Sequence, residues 1–313
     1  MMDNVLVSII VASYNPSFVQ LKNTVISAIK QKNISFEIIV ADDGSSIDYF
    51  DHLIQIFAER KFTNYKFAKL KSNEGTCKNI FNGLKMASGK YIKTIAPGDY
   101  FFSDEVLHRW VEWMENEDKK VCFGNAVFYS VTSENKYEFL RVVENPQNIE
   151  VYRRNHCSSK SQLLNYVFLK DVPVGANFIT DKELMIKYLS SIIPEVIYAE
   201  DMVYRMMLVD GYEFVHFNEP VVWYEYGTGI STNGSDKWKS IINREAIICN
   251  KLMARKTNSV RFRLAIFALS KGVLENVKYA VYPSLVVWKI KKTFRKRYSN
   301  TEYSIEEIER IIR

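Results

Sequence analysis

Two short acidic runs stand at the ends of hydrophobic stretches within the first hundred residues. Asp42-Asp43-Gly44-Ser45 follows the apolar run from Phe36 to Val40, and Ala96-Pro97-Gly98-Asp99 follows Tyr91 to Ile95. Carboxylates at the carboxyl ends of buried strands lie where open α/β sheets bind ligands. Two such ends suggest one crevice for a nucleotide and a divalent metal, Mn2+ or Mg2+, with Asp99 as the metal-ligand candidate. A third acidic pair stands at Glu200-Asp201. Each run also has a plainer reading. Asp, Gly and Ser favour turns and helix caps, and Pro97-Gly98 favours a β-turn. Glu200 and Asp201 could serve a helix N-terminus, with Asp201 and Arg205 four residues apart.

The elements around these runs alternate. Val5 to Ala12 is nearly continuous and β-branched, as a strand buried on both faces requires. Val19 to Lys32 has helical periodicity through Leu21, Val25, Ala28 and Ile29. Phe36 to Ala41, Tyr65 to Leu70 and Tyr91 to Ile95 read as strands. Ser46 to Arg60, with Phe50, Leu53, Ile54 and Phe57 as its stripe, and Thr76 to Ala87 read as helices. This pattern predicts a mostly parallel sheet with helices on its faces. Beyond Asp99 the expectations are a helix over 104–116, a strand over 121–131, variable strands and loops over 132–170, and a helix over 200–208. Two short strands follow at 213–217 and 221–226, and helices from Lys237 onward. The composition shifts near residue 235, dividing the chain into a catalytic region, 1–235, and a C-terminal helical region, 236–313.

The 313 residues carry a net charge of +6 and are 47% hydrophobic, enough for a sizeable core. Cys77, Cys122, Cys157 and Cys249 form no CxxC pair, which argues against a zinc knuckle or disulfide framework and fits a reducing compartment. No signal-like segment opens the sequence, and no stretch reaches the ~18 apolar residues of a membrane span. The chain is therefore expected in the cytoplasm. Tyr279 to Ile290 is apolar and aromatic, and the run from Lys289 to Arg297 holds six basic residues and no acidic one. That combination suits peripheral attachment to the anionic inner face of a cell membrane; a packed helix with a solvated basic end is the plainer alternative.

The segment Val7 to Asn15 (VSIIVASYN) resembles the opening of family 2 glycosyltransferases, with Ala12 where proline is usual and Ser13 where threonine is usual. Asp42-Asp43-Gly44-Ser45 resembles the second signature of that family. Asn73-Glu74-Gly75 with Lys78-Asn79 and Asn82-Gly83 resembles the third. Ser88-Gly89-Lys90-Tyr91-Ile92 matches the run before the metal motif, and Glu200-Asp201 sits where the catalytic pair is carried. The order and spacing of these motifs cover about residues 5 to 230.

The resemblance implies an α/β fold of GT-A type, mostly parallel, with a C-terminal helical extension. It implies inverting, non-processive transfer from a nucleotide-sugar, taken as a UDP-sugar, to a saccharide or lipid-linked acceptor in surface-polysaccharide synthesis. On the donor side, Ala12, Ser13, Tyr14 and Asn15 would border base and ribose. Asp42 or Asp43 would accept the imide N–H of uracil. Asn73, Gly75, Lys78, Pro97, Gly98 and Asp99 complete that side, although the first acid of the usual Asp-x-Asp motif is absent. Asp201 would be the base and Glu200 its support. Gly175, Ala176 and Asn177, with Tyr226, Gly229 and Ser231, would form the acceptor side or a lid; aromatic faces suit sugar rings. A sugar-nucleotide nucleotidyltransferase would want a glycine-rich basic loop after the first strand, which Ser13-Tyr14-Asn15-Pro16 is not. One basic run beside acidic crevice signatures fits a nucleic-acid binder poorly, so no nucleic-acid partner is expected.

Overall fold

A computed structural model describes residues 5–143, 146–153, 158–229, 235–270, 276–295 and 299–313. The first half runs β1 (Val7–Ser13), α1 (Phe18–Ile29), β2 (Phe36–Asp42), α2 (Phe50–Glu59), β3 (Tyr65–Lys69), α3 (Thr76–Leu84) and β4 (Tyr91–Ile95). Alternation of side chains sends Ile9, Val11, Ile38 and Val40 to one face of the sheet and Ile10, Ile39 and Ile92 to the other. Both faces are covered, so β1 and β2 need the continuous apolar runs that betray them in the sequence. On α2 the buried stripe is Leu53, Ile56 and Phe57, while Ile54 points outward. The spacing i, i+3, i+4 places the first three on one face and leaves Ile54 off it.

The second half comprises β5 (Tyr100–Phe101), α4 (Val106–Asn116), β6 (Val121–Val131), β7 (Tyr137–Val143), α5 (Ser159–Phe168), β8 (Phe178–Asp181), α6 (Lys182–Ile192), α7 (Met202–Val209) and β9 (Phe214–Glu225). One sheet runs in the order β3-β2-β1-β4-β8-β6-β9-β5, with β7 on β6. The strands β3, β2, β1 and β4 are mutually parallel, and antiparallel pairs enter with β8, β7 and β5. The two short strands expected over 213–226 are one strand, β9, whose pairing with β6 shifts register around Pro220. Proline cannot donate to the ladder, which breaks the pattern without ending the strand. The order matters for function. β2 lies on one side of β1 and β4 on the other, so a crevice opens at the carboxyl ends of β1 and β4.

The C-terminal helices are α8 (Asp236–Lys256), α9 (Val260–Leu269), α10 (Val277–Val281), α11 (Ser284–Phe294) and α12 (Glu306–Ile312). Cys249, Met253, Phe262, Ala265, Ile266 and Leu285 are buried in the same apolar cluster as Ile10 and Ile92 of the sheet. Ile308 and Ile311 of α12 are buried against Tyr100, Val127 and Trp223. Lys30 of α1 donates to the Arg310 carbonyl at 2.6 Å, tying the end of the chain to its beginning.

Candidate active site

Three strand ends and one loop build the site. At the end of β1, Asn15 adopts φ +43°, a left-handed conformation that Asn tolerates, and its Oδ1 accepts from the Ser46 backbone N–H and hydroxyl, both at 2.9 Å. Asp42, at the end of β2, accepts the Ser45 N–H at 2.9 Å and the Ser45 hydroxyl. Asp43 is buried, and its two oxygens accept the N–H groups of Glu74 and Gly75 at 2.7 and 2.9 Å. Burial pushes the Asp43 carboxyl upward while those two donors hold it back. Asp42 thus shapes its own turn, and Asp43 fastens the neighbouring 74–75 turn. Tyr14 is 51% exposed beside them. Ala12 is partly buried, Ser13 is buried, and Asn73 is exposed. Lys78 is exposed and paired with Glu74 at 2.7 Å.

At the end of β4, the Asp99 N–H bonds the Ala96 carbonyl at 3.0 Å, with Gly98 at φ +100°, a turn that requires glycine. Space requires it too, since a Cβ on Gly98 would lie 2.3 Å from Glu225 Oε2. Asp99 is 6% exposed, and its Oδ1 accepts the Glu225 N–H at 3.2 Å. Burial pushes its carboxyl up to about 7. Glu225 in turn accepts from the Gln20 amide at 2.6 Å. Among the described residues no three His, Cys, Asp or Glu side chains come together as metal ligands. With both nearby carboxylates buried and hydrogen-bonded within the protein, the turn does not fit a resident cation.

Glu200 and Asp201 precede α7. Both side chains are partly accessible yet ringed by protein. Burial pushes both carboxyls up; the Asp201 charge adds to the rise at Glu200, whereas the Arg205 guanidinium draws Asp201 back down. Asp201 thus has in Arg205 the one favourable charge partner that acts on the pair. Its side chain makes no capping hydrogen bond to α7. Gly175, Ala176 and Asn177 form a 3₁₀ turn beside it, and a Cβ on Gly175 would meet only Asp201 Cβ, at 3.9 Å. The small residue at 175 thus packs directly beside Asp201. Lys93 of β4 is buried and pins that turn, donating to the Ala176 carbonyl at 2.5 Å and the Thr94 carbonyl at 2.7 Å. Asn177 donates to the Gly124 carbonyl at 2.9 Å. Tyr226 is 41% exposed, stacked on Phe128 at 5.3 Å with the Arg141 guanidinium 4.8 Å from its ring. Gly229 is partly exposed, and Ser231 lies outside the described residues.

The two halves of the site touch. Gly75 has φ +93°, and a Cβ there would lie 2.2 Å from Ile197 Cγ2; the Cys77 N–H bonds the Ile197 carbonyl at 3.0 Å. The 74–75 turn held by Asp43 is thus in contact with the loop carrying Glu200-Asp201. Sequence reasoning missed Lys93, Gln20 and Glu225, because isolated polar residues inside strands and helices carry no local signature. A cavity of about 520 Å³ lies elsewhere, lined by Asn125, Glu150, His216 and Tyr303, among others. Burial holds His216 down at about 3, so it is neutral there.

The model of the glycosyl transferase family 2 matches residues 8–189, and the chain belongs to that family. Escherichia coli UDP-Glc:alpha-D-GlcNAc-diphosphoundecaprenol beta-1,3-glucosyltransferase WfaP is 32% identical over 128 residues, 40% of this chain and 46% of WfaP. Dictyostelium discoideum dolichyl-phosphate beta-glucosyltransferase is 31% identical over 138 residues, 39% of this chain and 40% of the relative. The chain spans 18% to 58% of the lengths of the curated relatives it matches. Among solved structures, Staphylococcus aureus TarS 1–349 in complex with UDP-GlcNAc aligns with a TM-score of 0.58 at 15% identity, covering 92% of this chain and 79% of TarS 1–349. The Pyrobaculum calidifontis mannosyltransferase PcManGT, in complex with GDP-Man and Mn2+, aligns at 0.56 and 12% identity, covering 93% of this chain and 74% of the other. The expected GT-A-type fold is the one these neighbours share.

Proposed function

We propose that the chain transfers a sugar with inversion from a UDP-sugar to a hydroxyl of a lipid-linked saccharide, in the assembly of a surface polysaccharide. The observation that carries this reading is the acid pair Glu200-Asp201, ringed by protein, with Asp201 making no capping bond to α7 and the Gly175 turn packed beside it. The ionised oxygen of Asp201 takes the acceptor hydroxyl proton while the hydroxyl oxygen attacks the anomeric carbon. The bond from that carbon to the donor diphosphate breaks on the opposite face, and UDP departs with the electron pair. A single displacement inverts the centre. Burial and the neighbouring Asp201 charge push Glu200 up toward its protonated form, while Arg205 favours the charged form of Asp201. Asp42, with Tyr14 and Asn15 around it, receives the base.

Donor choice is read by thermal denaturation with UDP-, GDP-, CMP- and dTDP-sugars. A donor at a hundred times its Kd adds about 2.7 kcal/mol, so a UDP-sugar should stand out in midpoint. Selective stabilisation by a GDP-sugar overturns the uracil reading. Repeating the panel in excess chelator tests the cation. The described residues assemble no cation site at the β4 turn, so the expected result is an unchanged shift and unchanged transfer, and loss of both means that a cation enters with the donor.

A membrane-facing acceptor is supported by the C-terminal helices. Residues 251–297 carry thirteen Lys or Arg against one acid, Glu275, whereas the rest of the chain has 29 basic and 35 acidic residues. Val260, Leu264 and Phe267 are exposed along α9, and Val287, Ile290 and Phe294 along α11. Phe262 of α9 packs on Phe168 at 5.5 Å, Tyr282 just ahead of α11 meets the same ring at 5.7 Å, and Leu285 of α11 is buried in that cluster. No helix among the described residues is long and apolar enough to cross a membrane. Part of the basic run is structural. Lys292 donates to the Leu169 carbonyl at 3.0 Å, and Arg295 bonds Gln147 and Glu150. Lys289, Lys291 and Arg263 remain exposed beside the apolar stripes. Replacing Leu264 and Phe267 together by Glu should weaken binding to phosphatidylglycerol vesicles more than tenfold, since each buried apolar side chain is worth about 1.5–3 kcal/mol. Unchanged vesicle binding would show that the face is merely solvated.

A further inference from the structure

Glu245 lies in the middle of α8, 44 residues after Asp201 in sequence, and is fully buried. Its carboxylate collects four hydrogen bonds from three successive backbone amides. Ile197 donates to Oε1 at 3.0 Å, Tyr198 to Oε1 and Oε2 at 3.2 and 3.1 Å, and Ala199 to Oε2 at 2.8 Å. All four bonds run from a backbone N–H to a carboxylate oxygen, so both oxygens serve as acceptors. Such charge-assisted bonds to a buried group are strong and directional. The next two residues are Glu200 and Asp201.

The same face of α8 touches this segment twice more. Trp238 lies edge-on to Tyr198 with ring centroids 5.0 Å apart, and the Cys249 thiol is 3.9 Å from the Met202 carbonyl. Positions 238, 245 and 249 are spaced by seven and four, one helical stripe. On the opposite side the segment rests on α3, where the Cys77 N–H bonds the Ile197 carbonyl. The loop thus touches two helices, and Glu245 is the one acidic side chain that grips its backbone among the contacts described.

We infer that Glu245 is the positioning residue of the catalytic loop: its carboxylate fixes residues 197–199 and thereby sets the place and charge of Glu200-Asp201. The inference rests on the proposed role of Asp201. Glu245 also acts through its field, since its negative charge raises both carboxyls. The other groups facing the pair are Arg205 of α7, the thiols of Cys77 on α3 and Cys249 on α8, and the hydroxyls of Tyr166 and Tyr204, which burial keeps neutral. The C-terminal region therefore contributes to catalysis through α8.

The test compares full-length wild type, Glu245→Gln and Asp201→Asn for donor affinity, kcat, donor KM and the pH dependence of kcat/KM. The amide of Gln keeps the volume but presents N–H groups to backbone N–H groups. For Glu245→Gln, kcat should fall about 10- to 100-fold, as displacements near 1 Å cost, with donor affinity and KM unchanged. The acid limb of the profile should move to lower pH, because one negative neighbour has gone. A merely structural residue would not move that limb. A kcat within about twofold of wild type, or an unmoved limb, overturns the inference. Near-normal turnover in Asp201→Asn overturns instead the base assignment, so the two failures are distinguishable. Should Glu245→Gln fail to fold, hydrogen exchange on the wild-type protein decides. The amides of Ile197, Tyr198 and Ala199 should exchange as slowly as those of β1, and rapid exchange there overturns the clamp.

Discussion

Asp201→Asn is expected to lower transfer by about 10² to 10⁴, the range for losing a general base, while leaving donor affinity at the wild-type value. The replacement keeps size and shape and removes only the group that accepts the proton. The donor contacts assigned to Asp42 and the 74–75 turn lie on other strand ends, so binding and chemistry should separate. Glu200→Gln should cost less, because that residue already favours its protonated form. The pH profile carries a matching expectation. Asp201 works only when deprotonated, and burial raises its carboxyl. Activity should therefore fall away at a pH above the ordinary aspartate value of about 3.9. Steady-state turnover and donor titration on the same preparations check this. Turnover near wild type in Asp201→Asn would falsify the assignment.

Removing residues 303–313 is expected to cause the largest loss of stability. Ile308 and Ile311 are almost fully buried on a cluster containing Tyr100, Tyr129 and Trp223. Tyr303 adds an edge contact to Phe102 at 5.0 Å. Burying two isoleucines is worth about 3–6 kcal/mol together, a large share of the 5–15 kcal/mol that holds a typical domain. The double substitution Ile308→Ala and Ile311→Ala gives a graded version, each change costing about 2–5 kcal/mol. Chemical denaturation followed by tryptophan fluorescence reads the effect. A midpoint unaffected by the truncation means that α12 is peripheral. The same packing explains why vesicle binding must be tested by point substitution. Truncating the chain from Lys289 would remove α12 and the Lys292 contact at the end of α5 as well as the basic residues.

What the sequence reveals and conceals follows from where the forces are local. The strands β1, β2 and β4 are buried on both faces, so their apolar runs announce them, and glycine and aspartate mark the turns beyond. The helix α5 escapes because its buried face carries Gln162 and Asn165 rather than aliphatic residues. Gln162 spends its amide on the Phe214 N–H and carbonyl, both at 2.8 Å. A polar residue satisfied across 52 positions breaks the periodicity that marks a helix. Four-residue β8 is too short to show a period. Asp42, Asp43, Glu200 and Asp201 are legible as motifs, yet their division of labour is not. Asp43 turns out to hold backbone, and Glu245, which grips the loop before the acid pair, sits in a helix with nothing around it to flag its partner.

Gly98 and Glu225 occupy one volume between them. The β4 turn offers no carboxylate of its own ahead of Asp99, and the neighbouring strand fills that space with one of its own. The two positions, 127 residues apart, are a single steric decision. A side chain introduced at 98 is blocked while Glu225 stands, and shortening Glu225 alone opens a polar void beside a buried aspartate. Exchange of an acid between these positions can succeed only as a pair. In a comparison of many such chains, the turn and the strand would therefore covary, and a search that scores the turn alone would miss the members that moved their carboxylate across.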